Sequence, residues 1–360
     1  MADVTLNSST KSQISNMKIL SVGALSGLSN TCLHRNWALH KIADSVDEVK
    51  TDMNPWSIWC RVRFHLFQMG LPISISENNG ENKAIRDLVS KNKYDIVWID
   101  KGQTIFPETL KYIKKVSPQT IIVSYSPDNM ALRHNQTQQY LDCVPLYDHI
   151  VTNKSYIIED LKKLGAQHVI FVNNSYEESF HYPRELSARD IQELGGDVGF
   201  IGAWEKERCE SICYLADHGI KVRVFGVGKW ADYKNYSPNL RIEERQLLGE
   251  DYCKSLQAFK ISLCFLRKMN FDQQTTRSVE IPACGGFMLA ERTEEHLSMF
   301  EEGKEAAFFS SKKELLEKCS YYIEHEEERI HIAENGFLRC HNSGYSNNET
   351  LRRVLRIVNE

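Results

Sequence analysis

Short apolar runs separated by helical patterns recur along the whole chain. These runs occupy residues 17–23, 94–100, 120–125, 147–152 and 168–172, and later 197–202, 221–225, 259–266, 286–290 and 306–309. Most of these runs are predominantly apolar, which is typical of strands buried on both faces of a parallel sheet. Strands that alternate with helices favour a sheet covered by helices. The sequence therefore predicts an α/β protein.

At 360 residues, the chain is long enough for two domains with separate cores. We read the segment around Pro183 as a linker because it is polar and lacks periodicity. The predicted organisation is a loose tail over 1–16, a first Rossmann-like domain over 17–175, a linker over 176–196, a second Rossmann-like domain over 197–345 and a last helix over 346–360.

Composition narrows the class of protein. A hydrophobic fraction of 42%, a charged fraction of 26% and a net charge of -4 are typical of a soluble globular protein and do not indicate nucleic-acid binding. Ten scattered cysteines without a CxxC pair indicate reduced thiols, and a zinc site is not expected. No apolar run approaches the roughly 18 residues of a membrane span. We expect a cytoplasmic protein, at most peripheral at the inner membrane face.

The stretch 272–289 has the pattern of a binding site. Thr275 or Thr276 is predicted as a helix N-cap, so the free backbone N–H groups of the next turn, with Arg277 beside them, would hold an anion such as phosphate. Glu280, one turn further on, is predicted to accept hydrogen bonds from sugar hydroxyls. A diphosphate next to a ribose is the simplest ligand for this pattern. The alternative is an ordinary helix cap before a buried strand.

Further candidates follow other predicted strands of the second half. Gly226 and Lys229 belong to a glycine-rich loop whose backbone is suited to contact a nucleotide base. Arg267 and Lys268 come directly before the stretch 272–289 and bring two more basic groups close to Arg277. Ligands of open α/β sheets bind beyond the carboxyl ends of the strands, and that is where all of these residues are predicted to lie.

In the first half, the same rule places Asp100, Lys101, Asp128 and Asn129 at a ligand-binding edge, although each also suits a turn or a helix cap. The segment 55–71 predicts an amphipathic helix with aromatic and arginine side chains. Such a helix could contact a membrane surface or a lipid-linked acceptor. Packing against its own sheet is the commoner arrangement and the one we expect.

Asp272 and Glu280 lie eight positions apart, which resembles the E-x7-E motif of GT-B glycosyltransferases with Asp in place of the first Glu. The run T-x-R-x-x-E-I-x-A-C-G-G-F that begins at Thr275, continued by the segment 300–305, is similar to the glycosyl transferases group 1 branch that includes spore-maturation (CgeB-like) proteins. The resemblance covers the second half of the chain well and the first half mainly in topology.

This resemblance implies a GT-B fold, in which two Rossmann-like domains face each other across a cleft. It implies a metal-independent transferase that moves a sugar from a nucleotide-diphosphate-sugar donor, bound by the second domain, to a glycan or lipid-linked acceptor, with no other cofactor. Arg208, or the nearby Lys206, would reach the donor phosphates. Asp272 would hold the donor sugar. Asp128 or Asp100 would hold an acceptor hydroxyl. If the reaction inverts, one of them should act as general base, and if it retains, no dedicated base is expected.

Two other functions fit the same pattern. A nucleotide-sugar epimerase of this fold would need the same phosphate and ribose ligands. A catalytically inert nucleotide- or sugar-binding protein would explain why Asp272 replaces Glu. Fold alone does not separate these functions from glycosyl transfer.

Overall fold

The computed structural model describes residues 16–77 and 79–360, and these form two α/β units. The predicted tail over 1–16 lies outside the described residues except for Asn16. The first unit contains residues up to Asn173 together with Asn347–Glu360, and the second contains Asn174–Ser346. Each unit has one parallel sheet of six strands.

The first unit has the strand order β2-β1-β3-β4-β5-β6. Its strands are β1 (Lys18–Gly23), β2 (Ser45–Lys50), β3 (Ile96–Asp100), β4 (Ile121–Ser126), β5 (His149–Thr152) and β6 (Val169–Phe171). Its helices are α1 (Thr31–Ile42), α2 (Ile58–Gln68), α3 (Glu81–Lys91), α4 (Pro107–Val116), α5 (Gln138–Cys143) and α6 (Ile158–Lys163), with α14 (Asn347–Asn359) added from the far end of the chain.

Two apolar layers cover the two faces of this sheet. One layer contains Ile85, Leu110 and Tyr140 of α3, α4 and α5. The other contains Leu39 of α1 and Leu355 of α14, and it includes Leu351, Val354 and Val358 as well. Helix α14 therefore belongs structurally to the first unit, although the whole second unit precedes it in the chain.

The second unit has the strand order β12-β11-β10-β7-β8-β9. Its strands are β7 (Gly196–Ile201), β8 (Val222–Phe225), β9 (Leu240–Ile242), β10 (Phe259–Cys264), β11 (Met288–Glu291) and β12 (Ala307–Phe309). Its helices are α7 (Ala188–Leu194), α8 (Lys206–Asp217), α9 (Gly249–Ala258), α10 (Arg277–Ala283), α11 (Glu294–Met299), α12 (Lys312–Glu324) and α13 (Glu326–Asn342).

The segment 176–196, which we read as a linker, lies within the second unit instead. It contains helix α7, which starts at a capping box formed by Ser187 and Asp190. Only Leu194 of this helix is buried. So short a helix with one buried residue leaves no periodic apolar pattern, which is why the sequence did not reveal it.

Helix α2 differs from the expected packing. Cys60 and Phe67 are buried against the first unit, but Ile58 and Trp59 are about three-quarters exposed, at 77% and 76%. Its contact with the unit therefore uses only one narrow face. Within residues 16–77 and 79–360, we find no helix long and apolar enough to cross a bilayer.

Candidate donor-binding site

The site predicted around Arg277 lies where the chain of the second unit reverses direction along its sheet. Strands β8 and β9 extend the sheet on one side of β7, while β10 pairs with β7 on the other side. The loops after β7 and β10 therefore diverge and leave a crevice at the carboxyl ends of these strands. Crevices of this kind are the usual ligand sites of open α/β sheets.

Two guanidinium groups lie at this crevice, from Arg277 at the start of α10 and Arg208 in the first turns of α8. The Nε atoms of both are buried and have no hydrogen-bond partner among the described residues. A Cβ added at Gly202, directly after β7, would lie 3.4 Å from Nη2 of Arg277. Glycine at this position therefore allows the arginine to approach the backbone of the β7 loop.

The two arginines raise each other's electrostatic energy. Burial lowers the pKa of Arg208, and the nearby positive charges of Arg277 and Arg267 lower it further, against the opposing effect of Glu205. For Arg277, burial acts downward, but Tyr252 and Glu280 outweigh it and the pKa is raised. Both groups stay charged, since arginine does not deprotonate in proteins. A buried pair of like charges with open donors favours an anion between them.

Glu205 organises the other side of the crevice. One of its carboxylate oxygens, Oε1, lies 3.6 Å from Nη1 of Arg208 and accepts a hydrogen bond from Nε of Arg267 at 3.1 Å. Arg267, predicted as a phosphate ligand, is therefore at the site but shares an acidic partner with Arg208. This arrangement holds both side chains in place and leaves the positive charge in excess.

Lys268, which was predicted to lie close to Arg277, and Lys229, which was predicted to lie in a base-binding loop, each contact another side chain of the protein. Lys268 forms an ion pair with Glu291 at the end of β11. Lys229 is exposed, with its ammonium 4.7 Å from the centre of the Trp204 ring. Gly226 lies in the same loop, and a Cβ there would come within 2.5 Å of the carbonyl oxygen of Gly202. The loop after β8 thus packs closely on the loop after β7, and its predicted contact with a base stays a prediction.

The turn before α10 is held by a side chain that sequence reasoning missed. Thr276 occupies the N-cap position, but its side chain makes no capping hydrogen bond. Instead, Oγ of Ser278 accepts from the backbone N–H of Thr275 at 3.0 Å and contacts Nε2 of His296 at 2.7 Å. Burial lowers the pKa of His296, and its Nδ1 lies 2.7 Å from the carbonyl oxygen of Glu291, to which it must donate. In the neutral ring, Nε2 is therefore the acceptor and the Ser278 hydroxyl donates to it. Thr276 is therefore the N-cap residue, as predicted, but without a capping side-chain bond, and the contact of the threonines with an anion stays a prediction.

Glu280 is buried and oriented by two neighbours. The Tyr252 hydroxyl donates to its Oε2 at 2.5 Å, and Nε2 of His181 lies 3.5 Å from its Oε1. The Nδ1 atom of His181 accepts from the backbone N–H of Glu177, so the proton of the neutral ring is on Nε2, facing the carboxylate. Burial and the carboxylate raise the pKa of Tyr252 well above its ordinary value. Each Glu280 oxygen keeps a lone pair for a ligand hydroxyl.

Asp272 follows a short 3-10 turn over Lys268–Asn270, and its backbone N–H donates to the carbonyl oxygen of Arg267 at 3.2 Å. The residue before it, Phe271, has a left-handed backbone with φ of 56° and is 64% exposed. A non-glycine residue in this conformation stores strain of the kind found at ligand sites. The contact of Asp272 with a donor sugar stays a prediction.

In the first unit, Asp100 is buried in an ion pair with Arg35 of α1. Its Oδ1 accepts from Nε of Arg35 at 3.0 Å, with a second contact from Nη2, and its Oδ2 accepts from Nε1 of Trp98 at 3.0 Å. Both oxygens therefore have protein partners. These contacts give Asp100 a structural role and do not support the prediction that it binds an acceptor or acts as a base.

Asp128 lies after β4, at the same edge of the sheet, and is partly exposed. Its Oδ2 is 2.7 Å from the ammonium of Lys101, whose backbone is left-handed with φ of 61°. The partner is a half-exposed lysine, so the carboxylate stays accessible to solvent. Asp128 therefore remains the better candidate for contact with an acceptor.

The contacts of Tyr252 and His181 with Glu280 were not foreseen from the sequence, nor was the bridging position of Glu205. No short motif marks them, because Tyr252 and His181 lie far from Glu280 in the chain, and Glu205 lies far from Arg267, although it is close to Arg208. Among the described residues, we find no cluster of three or more His, Cys, Asp or Glu side chains arranged to hold a metal ion.

Residues 207–356 match the family described as Glycosyl transferase-like. This match includes Arg208 and the stretch 272–289 and lies mainly in the second unit. No curated protein matches the chain in sequence.

Solved structures match nearly the whole chain. The Anabaena protein Alr3699/HepE, solved with UDP-glucose, has a TM-score of 0.63 at 14% identity, covering 95% of this chain and 100% of its own. An alpha-glucosyltransferase solved with UDP and a 13-mer DNA has a TM-score of 0.66 at 15% identity, covering 96% and 100%. The N-terminal domain of Candida albicans trehalose-6-phosphate phosphatase has a TM-score of 0.65 at 12% identity, covering 99% and 98%.

At these identities, the likeness establishes the fold, which is GT-B, as the sequence predicted. The match to the glycosyl transferase-like family adds the enzyme class. The chain is a glycosyltransferase with two Rossmann-like units.

Proposed function

We propose that this enzyme transfers a sugar from a nucleotide-diphosphate-sugar donor, bound by the second unit, to a hydroxyl of a glycan or lipid-linked acceptor, without a metal ion. We also propose that the enzyme belongs to the CgeB-like branch of the group 1 transferases, which its sequence resembles. UDP is the first nucleotide to test, because both Alr3699/HepE and the alpha-glucosyltransferase were solved with UDP or a UDP-sugar.

The observation that carries the proposal is the pair of arginines at the crevice of the second unit. Arg277 is close enough to Arg208 to lower its pKa, and the buried Nε atoms of both have no partner among the described residues. A diphosphate supplies the oxygens and the negative charge that this pair lacks. Glu280 would then accept hydroxyl hydrogen bonds from the ribose, one helical turn further along α10.

The same pair accounts for the chemistry. When the bond between the sugar and the diphosphate breaks, negative charge grows on the leaving group. Preoriented cations stabilise that charge more strongly in the transition state than in the bound donor, and this difference accelerates transfer. In this proposal, Arg277 and Arg208 do what a divalent metal does in metal-dependent transferases.

On the acceptor side, Asp128 is the group we assign to the attacking hydroxyl. Its carboxylate is partly exposed and lies at the strand ends of the first unit. In an inverting reaction it would remove the hydroxyl proton, and in a retaining reaction it would position the acceptor.

The test measures nucleotide binding and donor turnover on the full chain. Calorimetry with UDP and other nucleoside diphosphates should show binding that is lost in Arg277→Ala and retained in Asp128→Asn, while transfer falls in both. Turnover of the donor without any acceptor would indicate the epimerase instead. Binding without turnover would indicate the inert protein. Loss of activity in excess EDTA, restored by manganese or magnesium, would contradict the metal-independent mechanism.

A further inference from the structure

Helix α2 carries exposed apolar side chains, interrupted by the exposed His65, on the face that points away from its own unit. Its buried side chains, Cys60 and Phe67, lie on one side of the helix. Ile58 and Val62 are one turn apart, and with Met69 they lie on the opposite side of the helical repeat, at exposures of 77%, 42% and 69%. Trp59 extends this surface along one flank at 76% exposure. We call these four side chains the outer face of α2.

An apolar surface of this kind needs an explanation. Single exposed apolar residues are ordinary on soluble proteins, but a contiguous group that includes a nearly fully exposed tryptophan marks an interaction site. Met53 and Leu71, just outside the ends of the helix, are also exposed, at 67% and 46%. The chain on both sides of the helix thus also carries exposed apolar side chains.

The charged side chains of the segment 53–76, which carries the outer face, are all basic. From Met53 to Ser76, the sequence contains no Asp or Glu, while Arg61 and Arg63 are both exposed. No ion pair joins either arginine to an acidic side chain within the described residues. A cationic, acid-free segment is complementary to an anionic surface.

We propose that the outer face of α2 docks this enzyme on the surface of an anionic lipid bilayer. An apolar face flanked by arginine, with tryptophan at its border, is the composition of helices that lie in the membrane interface. Ile58, Trp59, Val62 and Met69 would enter the boundary between headgroups and acyl chains. Arg61 and Arg63 would contact lipid phosphates.

A second copy of the chain fits this surface less well. A twofold contact through α2 would bring Arg61 and Arg63 of one copy towards the same residues of the other, and the segment 53–76 has no acidic group to pair with them. The charge pattern therefore favours lipid over self-association. The proposal rests on the first unit alone and does not depend on the donor or the reaction.

The experiment is cosedimentation of the full chain with vesicles of phosphatidylcholine alone and with added phosphatidylglycerol. We expect binding to the anionic vesicles that weakens as salt is raised. The double variant Ile58→Ser/Trp59→Ser should bind roughly tenfold or more weakly, because it removes most of the inserting apolar surface. Arg61→Gln and Arg63→Gln should each weaken binding roughly fivefold at low salt.

Matched controls come from elsewhere on the surface. Ile330→Ser removes a 48% exposed apolar side chain from α13, and Arg353→Gln removes an exposed arginine from α14. Both should bind vesicles like the parent. All of the changed residues are exposed, so thermal unfolding should be nearly unchanged and loss of binding will not reflect loss of fold.

Three outcomes would overturn the proposal. The first is a parent that does not sediment with anionic vesicles. The second is equal weakening by the control variants and the α2 variants. The third is a parent that is dimeric in sedimentation velocity and becomes monomeric in Ile58→Ser/Trp59→Ser, with no vesicle binding, which would assign the outer face of α2 to a second copy.

Discussion

The two units place an arginine at the same point of similar sheets and use it in opposite ways. Arg35 lies on the helix after β1, and Arg208 lies on the helix after β7, each the first strand of its unit. Continuing the pairing of β1 with β3 sets Asp100 opposite Gly23. Continuing the pairing of β7 with β10 sets Phe265 opposite Gly202. The first unit thus has a carboxylate at this position, whereas the second has an apolar ring.

This difference decides what each crevice can bind. In the first unit, Asp100 neutralises Arg35, and a Cβ at Gly23 would clash with Cys32 and touch Asp100, so the space is filled. In the second unit, Arg208 shares the single carboxylate of Glu205 with Arg267, and Arg277 has no acidic side chain in ion-pair distance within the described residues, so positive charge remains in excess. A repeated topology therefore does not imply a repeated site, because one side chain at a strand end can close it.

The largest effect should come from removing the Asp100 carboxylate from the crevice of the first unit. Asp100→Ala leaves the buried Arg35 without a counter-charge, and we expect the free energy of unfolding to fall by about 3–5 kcal/mol. Nucleotide affinity should not change, because the altered residue lies in the other unit. Urea denaturation and calorimetry with UDP measure the two quantities.

Asp128→Ala is the matched control at the same sheet edge. Its partner Lys101 is half-exposed, so losing this ion pair should cost under about 1 kcal/mol. Equal destabilisation by the two variants would show that the Arg35–Asp100 pair has no special structural role.

Arg277→Ala should have the opposite effect to Asp100→Ala, with a large loss of activity and little loss of stability. We expect transfer to fall about 100- to 1000-fold, or roughly 3–4 kcal/mol of transition-state stabilisation, because the charge on the leaving diphosphate loses a preoriented donor. The free energy of unfolding should change much less than in Asp100→Ala, since no direct ion pair is lost, and the lost attraction between Arg277 and Glu280 is partly offset because Arg208 is relieved of a like charge. Steady-state kinetics and denaturation test this pair of expectations.

Lys268→Ala serves as its control. Lys268 is about half exposed and already paired with Glu291, so its loss should reduce transfer far less. If Arg277→Ala unfolded easily yet transferred sugar at the parental rate, the open crevice would be a structural feature and not a donor site.

Glu280→Gln should have a smaller effect. A carboxylate can accept from two ribose hydroxyls while keeping the Tyr252 hydrogen bond, whereas an amide can accept at one end only. We expect nucleotide affinity to weaken by about 1–3 kcal/mol in calorimetry. Tyr252→Phe keeps the carboxylate and removes only one orienting hydroxyl, so it should weaken binding less. Parental affinity in Glu280→Gln would place the ribose elsewhere.

The smallest effect concerns pH. Burial lowers the pKa of His296, so the unfolded chain takes up a proton near pH 6.5 while the folded chain resists it. The unfolded state therefore binds more protons below that pH. As the pH is lowered below about 6.5, the free energy of unfolding should fall by about 1 kcal/mol for each pH unit, until the pKa of the folded state is reached. Above about pH 6.5, His296 should make no contribution that varies with pH.

His296→Asn should flatten that part of the pH profile, as followed by denaturation at several pH values. His149 of the first unit is the comparison, because burial and the nearby His168 lower its pKa too. If His296→Asn left the profile unchanged, the buried imidazole would not be linked to stability.

The sequence predicted the alternation of strands and helices because buried parallel strands are continuously apolar. It also predicted that Arg277 and Glu280 lie close together, since both belong to one short helix. It did not reveal that Asp100 is neutralised by Arg35, which is 65 positions away, or that Tyr252 orients Glu280 from 28 positions away. Contacts of this kind depend on tertiary packing, and no local pattern encodes them. For the helix over 55–71 the sequence left two arrangements open and we expected packing on the sheet, because an apolar pattern does not tell which apolar face is covered.

The return of the chain to the first unit has a consequence for biosynthesis. Helix α14 packs against α1 and contributes Leu351, Val354 and Leu355 to the core around β1. A ribosome makes the strands of the first unit first, but it releases α14 only after the entire second unit. Until then, the nascent first unit exposes the apolar surface that α14 will cover, and this surface is a ready target for a chaperone. The unit that is begun first is thus the one completed last.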